Sequence, residues 1–89
     1  MPSNQPPTSR EFRAALDVVL ATSTKLDQRF VDVRSGDLHR IVGSYPGVDH
    51  RMPTCCGVML EAMTAGDQVL RAPPKGKGAN LVIRYALPR

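Results

Sequence analysis

The sequence predicts an α+β domain in which three helices pack on a small antiparallel sheet, in the order α-β-α-α-β-β. Three observations lead to that class. Apolar residues recur at helical spacing within residues 12–20 and again within residues 56–63. Residues 80–87 instead place their large apolar side chains at every second position, the period of a strand. Between that run and a shorter extended one, residues 68–72, lies a loop rich in Pro, Gly and Lys, so the two runs should pair as an antiparallel hairpin. With 89 residues there is chain for one modest core, and with no Trp, 2 Phe and 2 Tyr that core must be built from Leu, Val, Ile, Met and Ala.

Residues 1–7 contain three prolines and no large apolar residue beyond the first methionine, and are expected to form a flexible tail ahead of a single domain at residues 8–89. The tetrad Thr8-Ser9-Arg10-Glu11 matches a capping box, in which hydroxyl and carboxylate each satisfy a free N–H at a helix start. Phe12, Ala15, Leu16, Val19 and Leu20 then form one apolar stripe, and the first helix should end within residues 21–24. Residues 28–33, QRFVDV, alternate as a short strand, with Phe30 and Asp32 on one face and Arg29, Val31 and Val33 on the other.

Ser35 is placed to cap a second helix, with Asp37 in its positive first turn; Leu38, Ile41 and Val42 should be its buried face, and Gly43 its stop. Tyr45-Pro46-Gly47 reads as a turn. Pro53 suits the opening of a third helix, since its fixed φ is helical and its missing N–H is not needed there. Along that helix Cys56, Met59, Leu60 and Met63 fall on one stripe, read as core because Met fills irregular gaps and Cys packs as a small apolar group. Residues 65–67 end the helix. In the two strands that follow, Val69 should face inward in the first, and Leu81, Ile83, Tyr85 and Leu87 should share the inner face of the second, with Val82, Arg84 and Ala86 outside.

The net charge is +4, and residues 67–89 hold all of the excess, with Arg71, Lys75, Lys77, Arg84 and Arg89 against Asp67 alone. A basic cluster on one element suits a polyanion, and it also suits a solvated surface without a partner. No apolar run reaches the roughly 20 residues that cross a membrane, and the first residues lack the apolar core of a signal peptide, so a cytoplasmic protein without membrane contact is expected. Cys55 and Cys56 are adjacent, where a bridge would be strained, and are expected as reduced thiols.

The segments SGDLHR, YPGxxHRMPxCC and PPKGKGAxLxIRYxLPR, together with the element order, resemble a group of short bacterial winged-helix-like domains of unassigned function, sometimes met near DNA-modification or restriction genes. The resemblance covers residues 8–87. It implies the winged-helix variant of the helix-turn-helix, with duplex DNA as the partner, the third helix in the major groove and the loop between the last two strands as the wing.

Lys75 and Lys77, separated by Gly76 and followed by Gly78, suit phosphate contact without base selection; the alternative is a hairpin tip kept soluble by lysines. His50 and Arg51 precede the third helix, where Arg can pair with phosphate or guanine. The alternatives are a salt bridge from Arg51 to Asp49 or Asp37 and a structural hydrogen bond from His50. Thr54 on the helix and Arg84 on the outer face of the last strand complete the candidate nucleic-acid contacts.

The outward side of the third helix is expected to carry Thr54, Gly57, Val58 and Glu61, with no Arg, Lys, Asn or Gln to read bases. A second reading therefore stands beside the first: a protein-interaction module, an inhibitor or an accessory subunit of a nucleic-acid-processing system, using Tyr45, Gly57 and Glu61. A homodimer is open on either reading. No enzyme, metal or cofactor is expected. Cys55 or Cys56 with His39 or His50 could in principle form a nucleophile pair or a metal site, but no CxxC, HExxH or spaced acid pair is present, and successive helical thiols point about 100° apart.

Overall fold

The computed structural model describes residues 6–43 and 50–89. Three helices, α1 (Ser9–Lys25), α2 (Ser35–Val42) and α3 (Met52–Glu61), pack on one another and on one face of a sheet made of β1 (Phe30–Arg34), β2 (Gln68–Arg71) and β3 (Val82–Ala86). The strand order is β1-β3-β2, antiparallel throughout. No helix among the described residues is long and apolar enough to cross a membrane.

The capping box forms as the sequence implies: the Thr8 N–H donates to Glu11 Oε1 at 3.0 Å and the Glu11 N–H to Thr8 Oγ at 3.3 Å. Phe12, Leu16 and Leu20 are buried along the expected stripe. The helix runs one residue past the expected stop, to Lys25. Of the expected tail, residues 1–5 and the turn at Tyr45 lie outside the described residues, whereas Pro7 is buried.

In β1, Val31 and Val33 turn toward the core while Phe30 and Asp32 face outward, the split that alternation implies. Ile83 and Tyr85 of β3, with Leu81 just before it, are buried in the core, and the Tyr85 hydroxyl donates to the Met59 carbonyl at 2.7 Å, tying the sheet to α3. Val69 lies opposite Ile83, hence on the inner face, but at the sheet edge it stays 42% exposed and adds little to the core.

Two expectations for α2 are corrected. Ser35 is not the cap: Arg34 holds that position, and the Ser35 hydroxyl donates instead to the Gly78 carbonyl. Ile41 is 65% exposed, and the buried face is Ser35, Gly36, Leu38 and His39. The cause is close packing on that side, since a Cβ at Gly36 would sit 3.0 Å from the Ala79 carbonyl oxygen, tighter than most real contacts. Gly43 ends α2 as expected, with φ of 113°, a conformation that favours glycine.

Candidate nucleic-acid interface

The start of α3 is positioned by a buried histidine. His39 Nε2 accepts the Arg51 N–H at 2.8 Å, which leaves the proton of the neutral ring on Nδ1, where it donates to the Gly43 carbonyl at 2.9 Å. The ring packs edge-on against Phe12 at 4.8 Å. One side chain of α2 thereby holds the C-cap of its own helix and the N-cap of α3, and the Arg51 and His50 side chains are left at the surface. Arg51 does not pair with Asp37, which is taken by Arg34 at 3.2 Å. His50 Nδ1 accepts the Met52 N–H at 3.4 Å, a local bond within the turn that opens the helix.

The loop between β2 and β3 does not stand away from the domain. It turns at residues 73–76, where the Gly76 N–H donates to the Pro73 carbonyl at 2.8 Å, and then folds back. Gly78 is held from two sides, by the Ser35 hydroxyl and by Cys56, whose sulfur lies 3.3 Å from both the N–H and the carbonyl of Gly78. The Gly36 N–H donates to Ala79 at 3.0 Å and the Ser35 N–H to Leu81 at 2.9 Å, so free donors of the α2 N-terminus are satisfied by the loop. The result is that Lys77 reaches over α3, its Nζ 4.0 Å from where a Cβ on Gly57 would stand.

Two shallow depressions of about 390 and 380 Å³ meet at Lys77 and Pro53. His50 and Ala79 line the first; Thr54, Gly57, Glu61 and Ser9 line the second. A third, of about 190 Å³, continues past Glu61 to Arg10 and Arg13. The structure therefore brings His50, Thr54, Gly57, Glu61 and Lys77 onto one surface, with Arg51 exposed beside His50 and Lys75 exposed at the turn. Ser9 and Arg10 join them from α1, a proximity that only the packing of α1 on α3 creates. Val58, expected outward, is buried.

Arg84 lies elsewhere. It faces outward from β3, on the side of the sheet away from the helices, where its guanidinium meets both Asp32 oxygens at 2.8 and 3.0 Å and stacks over the Phe30 ring at 3.9 Å. The hydrogen bonds from Arg84, with its charge, hold the Asp32 carboxyl below its ordinary range against the opposing effect of burial. Arg89 is likewise committed, to Asp67 at 2.7 Å. Of the five cations in residues 67–89, only Arg71, Lys75 and Lys77 make no ion pair among the described residues.

Both thiols are free and buried. Burial, and secondarily the neighbouring Cys56, pushes the Cys55 thiol up to about 12, far from the thiolate a nucleophile requires. Its sulfur donates instead to the Ser35 carbonyl at 3.5 Å. Among the described residues no group of three or more His, Cys, Asp or Glu is placed to hold a metal ion. Comparison with known protein families, characterised proteins and solved structures returned no match.

Proposed function

We propose that this chain is a non-enzymatic, cytoplasmic domain of the winged-helix type that binds double-stranded DNA through phosphate contacts along α3 and the β2–β3 loop. The element order, with β1 and β2 flanking β3 and a loop returning beside α3, supports the assignment of type. One observation carries the function. Lys77, which makes no ion pair among the described residues, is brought beside α3, and the likewise unmatched Lys75 is exposed at the turn before it, whereas the guanidiniums of Arg84 and Arg89 are already matched by carboxylates.

Lysines are point charges without the fork that reads bases, and α3 offers no bidentate donor, so the contacts favour backbone over sequence. Arg84 is outside this interface. A protein partner is the second reading, favoured by the open edge strand β2, where Val69 and Leu70 are exposed in a row.

A salt titration with labelled mixed-sequence duplex tests the proposal. Affinity should fall linearly in log salt, with a slope that becomes shallower by about 0.9 for each phosphate contact removed, so Lys75→Ala with Lys77→Ala should flatten it by about 2. Absence of binding at low salt would overturn the nucleic-acid reading.

A further inference from the structure

The exposed side of α3 carries Thr54, Gly57 and Glu61, at i, i+3 and i+7, and no cation. An approaching phosphate would meet a hydroxyl, a bare stretch of backbone and a carboxylate. The β2–β3 loop fills the gap. Cys56, one residue before Gly57, grips Gly78, one residue after Lys77, so the clamp and the ammonium sit on the same turn of α3. Lys75 lies within the turn at residues 73–76, before that clamp.

We infer that Lys77 acts as the missing basic side chain of α3: its ammonium, delivered over Gly57 with the Thr54 hydroxyl beside it, forms a seat for one phosphodiester of duplex DNA, and Glu61 is the counter-charge that weakens that seat. This assignment rests on the DNA-binding reading and goes beyond it, because it places the decisive contact on the helix rather than at the loop tip. Glu61 then opposes binding, whereas a carboxylate reading a cytosine amino group would promote it.

The test compares variants on labelled mixed-sequence duplex, each first shown to melt as the unsubstituted protein does. Lys77→Ala should flatten the slope of log affinity against log salt by about 0.9. Adding Gly57→Lys to Lys77→Ala should restore it, because a lysine on the helix itself then occupies the same place. Adding Val18→Lys instead, which puts the same charge on an exposed site of α1, should not. Glu61→Gln should raise affinity several-fold at low salt.

A Lys77→Ala variant with the original slope, equal rescue by Val18→Lys, or a Glu61→Gln variant that binds more weakly would each overturn the placement while DNA binding stands. Failure of the unsubstituted protein to bind would instead overturn the reading beneath it.

Discussion

Removing the Asp67 carboxylate should cost this domain a large share of its stability. Its side chain is 0% exposed and accepts the Ala86 N–H at 2.7 Å, the Thr64 N–H at 2.8 Å and the Arg89 guanidinium at 2.7 and 2.9 Å. Arg89 in turn donates to the Ala62 carbonyl at 2.6 Å, so one carboxylate joins the end of α3, the turn after it and the last strand. Breaking a buried pair by deleting one partner costs about 3–5 kcal/mol, and the lower end applies because the Arg89 side chain is 21% exposed and can turn to water.

For a domain of this length, total stability is about 4–13 kcal/mol. A loss of about 3 kcal/mol in Asp67→Ala should lower the melting temperature by about 12–24 °C, read by circular dichroism. Asp67→Asn, which keeps an acceptor oxygen but not the charge, should fall between.

The pH dependence has a definite sign. Burial by itself would raise the Asp67 carboxyl, but the Ala86 and Thr64 N–H groups and Arg89 together hold it below its ordinary range. A carboxyl depressed in the fold stabilises above its unfolded value and loses that contribution as pH falls through the folded one. The gap between the native protein and Asp67→Asn should therefore close in acid. An Asp67→Ala variant melting within about 4 °C of the native protein, roughly 1 kcal/mol, would refute the reasoning.

Gly57→Ala should stabilise α3 by about 0.5–1 kcal/mol in urea melts, because the nearest neighbour of the new Cβ is the movable Lys77 ammonium at 4.0 Å; destabilisation would show that face to be filled. Iodoacetamide at neutral pH should leave both thiols of the native protein unmodified and label them in urea, as mass spectrometry would show. In alkali, the Cys55 contribution to stability is complete below the ordinary thiol value of 9.0 and is lost as pH rises toward about 12, so Cys55→Ala should flatten the alkaline decline of the melting temperature.

The long elements were legible because each obeys one period over many residues: the α1 stripe and the alternation of β3 leave little choice of face. The eight residues of α2 were not, since Leu38 belongs to two possible faces, one with Ile41 and one with Ser35 and His39. The second wins because Gly36 allows the loop close approach and His39 finds backbone partners at both ring nitrogens. Val69 had the right parity and too little cover. At the candidate site the lysines and the histidine–arginine pair were visible as residue types. Their assembly was not, because the meeting of residue 77 with residue 57, and of residue 78 with residues 35 and 56, depends on segments far apart in the chain. The faint signal was a set of small residues, Ser35, Gly36, Gly57 and Gly78, at the places where backbones converge.

The clamp on the returning arm of the β2–β3 loop uses main-chain atoms of residues 78, 79 and 81 and makes no demand on the side chains at positions 74, 75 and 77. Tip chemistry and foldability are therefore separable in this domain. Acidic, aromatic or hydroxylated residues can replace the lysines while the socket that presents them beside α3 stays intact, which makes those positions the natural place for selection, or an engineer, to change what the protein holds.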